Sequence, residues 1–180
     1  DLIYGYDGND HIFGSQGNDL IFGGAGIDTV DYSAFAVGII VDLIDSVDKD
    51  GDGVTDDALS DIENIIATGF NDTITGTTGN NEIISGDGND VVNAGDGDDV
   101  GRAGRGKDNV TGGLGCDDLR GGRGNDVLRG DGGEDILFGG NGADELYGGT
   151  GLDKLYGQNG HDLMYGGDGD DIILGEDGND

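Results

Sequence analysis

The chain has 180 residues, enough for one domain, and carries 39 Asp and Glu against 8 Lys and Arg, giving a formal charge of −31 and a pI near 4.1. Only 33% of it is hydrophobic, with 42 Gly and neither Pro nor Trp, too little apolar surface to offset the entropy of ordering, so the chain alone is expected to be disordered. Such a charge repels nucleic acid and anionic membranes, no apolar run approaches the roughly 18 residues of a membrane span, and the single Cys116 supports neither an internal disulfide nor a zinc site.

What completes the fold is therefore expected to be a small hard cation, for which carboxylates are the natural ligands. No signal-peptide pattern is present. The chain opens at Asp1-Leu2-Ile3-Tyr4 and closes at Gly178-Asn179-Asp180, both inside a repeat, so it is expected to be part of something longer.

In chain order, residues 1–31 form a first repeat block, with nonapeptide copies starting at Gly5, Gly14 and Gly23. Residues 32–66 break the frame. Within them Ile39, Val41 and Leu43 alternate like a strand with one buried face, and Ile62, Ile65 and Ile66 suggest a second. Between these lies Asp48-Lys49-Asp50-Gly51-Asp52-Gly53-Val54-Thr55-Asp56, which resembles the start of an EF-hand loop and the acidic loops of thrombospondin type 3 repeats. Leu59 stands where an EF-hand has its bidentate Glu, so Asp48, Asp50 and Asp52 are candidate ligands of a separate site or members of a solvated loop. Residues 67–180 form the second block, weak at Ala67 and unbroken from Gly76.

Each copy has two halves. Gly121-Gly122-Arg123-Gly124-Asn125-Asp126 is a tight turn, since Gly admits positive φ and close backbone approach. Val127-Leu128-Arg129 is a short strand with one buried centre, as are those around Ile12, Ile21, Val110, Leu119, Leu137 and Leu155. Turn, strand, turn, strand closes one coil, so each coil consumes two nonapeptides. The expected fold is all-β, a parallel β-roll: a right-handed solenoid whose two parallel sheets face each other across a thin aliphatic row.

An offset of two nonapeptides then aligns the aspartates. One edge reads Asp72, Asp90, Asp108, Asp126, Asp144, Asp162 and Asp180; the other reads Asp99, Asp117, Asp135, Asp153 and Asp171. The early block adds Asp1 with Asp19 and Asp10 with Asp28. About twelve divalent ions between these neighbours would bring the charge to about −7.

The nonapeptide resembles the RTX (hemolysin-type) calcium-binding repeat. That resemblance implies Ca²⁺ between successive turns of one edge, held by the position-six carboxylate and by carbonyls of positions one to four. The implied carbonyl donors include Gly86, Gly88, Gly95, Gly97, Gly104, Gly106, Gly113, Gly115, Gly122, Gly124, Gly140, Gly142, Gly149 and Gly151. Each interior Asp is expected to touch the ion above with one oxygen and the ion below with the other. The resemblance also implies a secreted protein that leaves the cell through type I secretion machinery and folds on meeting extracellular Ca²⁺.

Some positions depart from the pattern. Asn81 replaces the Asp opposite Asp99, and the turn at Ala67-Thr68-Gly69-Phe70 lacks most of its glycines, so both are expected to bind poorly. Gly101 occupies an aliphatic position and is expected to leave a gap, with the roll loosest over 67–101. Outward aromatics recur at coil spacing: Tyr4 over Phe22, Phe138 over Tyr156, and Tyr147 over Tyr165. Six of the eight basic residues fall between Arg102 and Arg129, where they either offset nearby carboxylates or hold an acidic polysaccharide. His11 and His161 read as solvated surface residues and Cys116 as an exposed thiol in a turn. The functions that remain are a calcium-triggered folding module, a polysaccharide-binding module resembling those of mannuronan epimerases, and the rigid rod of a surface-layer protein or adhesin. Catalysis is not expected, because no nucleophile with a base and no distinct carboxylate pair stands out.

Overall fold

The computed structural model describes residues 1–15, 17, 19–43 and 58–180, the side chains of 58–60 excepted. The acidic loop of Asp48, Asp50 and Asp52 lies outside these residues. The described chain is all strand and turn. The early strands are β1 (Leu2–Asp7), β2 (His11–Phe13), β3 (Leu20–Ala25), β4 (Thr29–Asp31), β5 (Ile40–Asp42), β6 (Ala58–Ser60), β7 (Asn64–Ile66) and β8 (Thr73–Thr75). Then follow β9 (Glu82–Asp87), β10 (Val91–Asp96), β11 (Val100–Arg105), β12 (Asn109–Leu114), β13 (Asp118–Arg123) and β14 (Val127–Gly132). The last are β15 (Ile136–Gly142), β16 (Glu145–Thr150), β17 (Lys154–Gly160), β18 (Leu163–Asp168) and β19 (Ile172–Gly178).

Every pairing is parallel, and in the regular repeats the partner lies two nonapeptides away: Val110 faces Leu128, and Leu119 faces Leu137. The architecture is thus the parallel solenoid that the period of nine predicts. Consecutive strands alternate between walls. One wall is a continuous nine-stranded sheet, β19-β17-β15-β13-β11-β9-β7-β4-β2. The other is not the single sheet expected from the repeat. It is split into a seven-stranded sheet ending in β5 and a three-stranded sheet of β1, β3 and β6. The irregular residues cause this, because β5 and β6 follow one another on the same wall, where the repeat would place one strand.

Strands in the repeats are also twice the expected length. They run on through positions one to three of the following turn, as in β10, where Val92 and Ala94 are both buried. Position one therefore faces inward, and its small residue leaves room there for the aspartate of its own turn. The core is a single row of aliphatics, Leu119, Leu128, Leu137, Leu146 and Leu155, each fully buried. It thickens near the irregular segment, where Tyr32, Ile39, Val41, Ile62, Ile65, Ala67, Ile74 and Ile83 are buried together. Gly101 does not interrupt its sheet: it pairs with both Ile83 and Leu119, and a Cβ there would meet Leu119 Cδ2 at 3.1 Å and Val110 Cγ1 at 3.4 Å. Neighbouring aliphatics lean into the space.

Outer faces carry the aromatic ladders at the expected spacing. Tyr4 stacks on Phe22 with centroids 5.0 Å apart, Phe138 on Tyr156 at 4.9 Å and Tyr147 on Tyr165 at 5.2 Å. Arg120 and Arg129 each extend a ladder by lying 5.2 Å over the ring of Phe138 and Tyr147.

Candidate calcium centre

The turns bring the aspartates of position six into columns. Asp72, Asp90, Asp108, Asp126, Asp144 and Asp162 are buried along one edge, and Asp99, Asp117, Asp135 and Asp153 along the other. Asp19 and Asp28 are buried in the early coils, whereas Asp171 and Asp180 at the end of the stack are more open.

The two oxygens of each carboxylate have different surroundings. The Asp108 N–H donates to Asp126 Oδ1 at 2.9 Å, the Asp126 N–H to Asp144 Oδ1 at 2.8 Å, and the Asp144 N–H to Asp162 Oδ1 at 2.9 Å. On the opposite edge Asp99, Asp117 and Asp135 donate in the same way to Asp117, Asp135 and Asp153, each at 2.9 Å. Oδ1 is therefore tied to the preceding coil. Oδ2 is not. In Asp10, Asp28, Asp90, Asp99, Asp108, Asp117, Asp126, Asp135, Asp144, Asp153 and Asp162 it is buried without a hydrogen-bond partner.

Oδ2 lies close to the position-one glycine of its own turn and to a carbonyl of the next coil. A Cβ added to Gly121 would lie 2.5 Å from Asp126 Oδ2 and 2.7 Å from the Gly139 carbonyl oxygen of the next coil. At Gly139 the same position is 2.6 Å from Asp144 Oδ2 and 2.9 Å from the Gly157 carbonyl. Carbonyls of positions two and four press along the axis onto glycines of the following coil, those of Gly104 and Gly106 onto Gly122 and Gly124. Gly122 and Gly124 have φ of 106° and 139°, which combines with this contact to exclude any side chain. Gly86, Gly88, Gly95, Gly97, Gly104, Gly106, Gly113, Gly115, Gly140, Gly142, Gly149 and Gly151 adopt the same sign of φ. No group of three or more His, Cys, Asp or Glu side chains converges on a point among the described residues, so each turn offers few carboxylates and mainly main-chain oxygen.

This donor set is all oxygen, part anionic and part carbonyl, which is what Ca²⁺ takes in shells of six to eight. An unsatisfied buried polar group costs about 1–3 kcal/mol and a charged one more, so eleven carboxylate oxygens cost at least on the order of 10–30 kcal/mol. The net stability of a domain is about 5–15 kcal/mol. The fold demands a cation or a proton at these atoms. The protonation behaviour agrees: burial pushes Asp117 and Asp126 up to about 7, against the main-chain hydrogen bond that each accepts. Burial likewise raises Asp90, Asp99, Asp135 and Asp144 to about 6, and raises Asp72, Asp108 and Asp153.

A stack of two-strand coils with a buried carboxylate in most of its turns defines a parallel β-roll of the calcium-binding class. Four copies of a family model, the RTX calcium-binding nonapeptide repeat, match residues 1–30, 66–101, 111–146 and 147–180, most of the chain. This chain belongs to that family and binds Ca²⁺. A search of curated proteins finds no match.

The irregular positions behave differently. Asp72 has no orphaned oxygen: Oδ1 accepts the Ile39 N–H at 2.8 Å, and Oδ2 accepts the Thr68 N–H at 2.9 Å and the Thr68 hydroxyl. Asn81 is likewise satisfied, accepting the Thr77 N–H at 2.7 Å and donating from Nδ2 to the Glu63 carbonyl at 2.6 Å. Asp19 accepts from the Ser15 hydroxyl and the Asp1 ammonium.

Two features were missed from the sequence. A second ladder runs along position five, where Asn71 Oδ1 accepts the Asn89 N–H at 2.8 Å and Asn89 Oδ1 the Lys107 N–H at 2.7 Å. Its signal was the frequent Asn before the ladder Asp. Asp98 serves Cys116 in this way at 2.9 Å, and His161 Nδ1 serves Asn179 at 3.0 Å, so His161 is part of the stack. His11 pairs with Asp31 at 2.9 Å. The other missed feature is Glu63, which accepts the Asp28 N–H at 2.8 Å.

Much of the basic stripe is locally paired. Arg102 bonds Glu82, Arg105 reaches Asp87 at 3.4 Å and Arg120 grips Asp118 through two bonds of 2.9 and 3.0 Å. Arg129 donates to Asn109 at 2.9 Å.

Proposed function

We propose that the chain is a calcium-triggered folding module of a secreted protein, and that its direct activity is binding, not catalysis. The observation that carries this reading is the set of eleven buried Oδ2 atoms without a hydrogen-bond partner among the described residues. At neutral pH and low Ca²⁺, as in a cytosol, the fold would confine that many bare carboxylates, and a chain of charge −31 with so thin a core stays extended instead. In millimolar Ca²⁺ the ions bind the folded state alone and draw the chain into it by mass action. Affinities of extracellular calcium modules, about 10⁻⁴–10⁻³ M, place the transition between those two environments. Such a switch suits type I export, in which the chain passes unfolded to the exterior.

Circular dichroism in EDTA and in 10 mM Ca²⁺ tests this. The β-signature is expected with Ca²⁺ and a coil spectrum without it. Equal β-content in both ends the reading.

A second reading, binding of an acidic polysaccharide, is favoured by one observation. Arg120, Phe138, Asn141 and Gln158 line an open groove of about 290 Å³ on the nine-stranded wall, where two amides flank an Arg120 guanidinium that is paired with Asp118 and lies over the Phe138 ring. Alginate oligomers are the probe. Affinity that disappears in Arg120→Ala/Phe138→Ala supports this reading, and no binding to the wild type removes it.

A further inference from the structure

The ladder that carries Asp10 and Asp28 does not stop where the repeats stop. β4 pairs with β7 through Thr29 with Asn64 and Val30 with Ile65, so Glu63 immediately precedes β7 as Asp28 immediately precedes β4. The interval is almost twice that of the regular ladder, because the chain between them leaves the roll's period. The bond between them is nevertheless the regular one: the Asp28 N–H donates to Glu63 Oε2 at 2.8 Å, as the Asp10 N–H donates to Asp28 Oδ1 at 2.8 Å.

The close approach of carboxylate and carbonyl is reproduced as well. A Cβ at Gly23 would fall on the Asp61 carbonyl oxygen and 2.5 Å from Asp28 Oδ2, the arrangement seen at Gly121 with Gly139 and Asp126. Asp28 is completely buried, and its Oδ2 has no partner. The turn before β7 is only Asp61-Ile62-Glu63, with Ile62 buried in the core, so it lacks the long glycine loop of the repeats. Even so, it delivers a carbonyl and a carboxylate to the places that the longer turns fill. One further coil along, Asn81 closes the series, because its amide is satisfied by Thr77 and by the Glu63 carbonyl.

We propose that Asp28 Oδ2, the Asp61 carbonyl and the Glu63 carboxylate hold a further Ca²⁺, which fastens the first repeat block to the second across the irregular segment. Asp61 and Glu63 lie between the family-matched residues 1–30 and 66–101, so the nonapeptide pattern does not contain this site. The proposal rests on the calcium reading of the regular ladder. Its oxygen donors, two of them carboxylates, suit Ca²⁺ better than Mg²⁺, which holds its waters and requires a tight octahedron.

The test is calcium stoichiometry on the full chain, by equilibrium dialysis and metal analysis, for wild type, Glu63→Gln and Asp117→Asn. Gln keeps an acceptor for the Asp28 N–H and removes the charge. Glu63→Gln is expected to bind one Ca²⁺ fewer and to lose calcium-dependent hydrogen-exchange protection over Thr29–Asp31 while keeping it over Val127–Gly132. Wild-type stoichiometry in Glu63→Gln, with a loss in Asp117→Asn, overturns this site and leaves the ladder standing. Wild-type stoichiometry in both overturns the ladder reading and the site with it. If Glu63→Gln does not fold at any Ca²⁺ concentration, Glu63→Asp decides. Folding of that variant at the wild-type midpoint shows that the charge is required, and its failure shows a packing role only.

Discussion

Replacing Asp126 by Asn separates the ion from the hydrogen bonds around it. Asn retains one oxygen, which the Asp108 N–H occupies at 2.9 Å, and offers an amide group where the unpartnered Oδ2 stood. The ion between these coils loses its anionic donor while the ladder keeps its main-chain bond. A site with Kd of about 10⁻⁴ M stabilises the fold by about 1.4 kcal/mol in 1 mM Ca²⁺ and about 2.7 kcal/mol in 10 mM. For a chain of this length those losses lower the Tm by about 3–6 °C and 5–11 °C. Without Ca²⁺ the sign reverses. The variant then buries one charge fewer, so whatever folded population exists in EDTA is favoured by about 1–3 kcal/mol. Thermal melts by circular dichroism at zero, 1 and 10 mM Ca²⁺ read both effects. A shift of equal size and sign with and without Ca²⁺ would show that Asp126 matters for packing alone, and the argument from orphaned oxygens would fail.

Three other outcomes follow from the same geometry. The ladder carboxylates raised to about 6 or 7 bind protons more tightly in the folded roll than in the open chain, so protonation favours the metal-free fold. That contribution is complete below about pH 4 and lost as pH rises through about 6–7; in EDTA, β-content should be greater at pH 4.5 than at pH 8, while the Ca²⁺ midpoint rises on acidification as protons compete for Oδ2, and a pH-independent midpoint refutes this. Gly124→Ala puts a Cβ against the Gly106 carbonyl at φ of 139°, a strain of about 1–3 kcal/mol before the clash is counted, so its Ca²⁺ midpoint should rise, whereas Gly69→Ala, with nothing within 4 Å, should leave it unchanged. Asn81→Asp combined with Thr77→Gly removes the Thr77 hydroxyl and the Asn81 Nδ2 donor and puts a carboxylate beside the Glu63 carbonyl, leaving one main-chain N–H as its partner, so the variant should bind one more Ca²⁺ by dialysis.

The period of nine made the register of the roll legible before any coordinates. Gly and Asp at fixed offsets dictate a turn, and the lone aliphatic dictates an inward strand residue. Stacking of every second repeat follows, as Leu119 over Leu137 and Tyr147 over Tyr165 show. The length of the strands was not legible. Small residues such as Ala94 read as turn material, and only the fold shows that they face inward and make room for a carboxylate. Glu63 escaped for a related reason: its turn is short and has no glycine, so nothing local marks it. The signal that existed was non-local, since Asn64-Ile65-Ile66 stands two repeat lengths before Glu82-Ile83-Ile84 and pairs with it.

Residues 67–101 were expected to be the loosest stretch of the roll because their turns depart from the calcium pattern, yet the turns before β8 and β9 show a different division of labour. Where Thr68 replaces a turn glycine, its N–H and hydroxyl occupy the Asp72 oxygen that regular coils leave without a partner, and Thr77 does the same for Asn81 Oδ1. These turns leave no carboxylate oxygen orphaned, and the apolar core is thickest beside them, at Tyr32, Ile39, Ile65 and Ile74. Metal and oil are thus alternative ways of holding the same solenoid. Regular repeats with one buried aliphatic per strand leave a carboxylate oxygen without a partner, whereas the coil with several buried aliphatics and threonine-capped turns does not. In this chain the two kinds of coil stand side by side, with Ile65 of the thick core paired to Ile83 of the following coil.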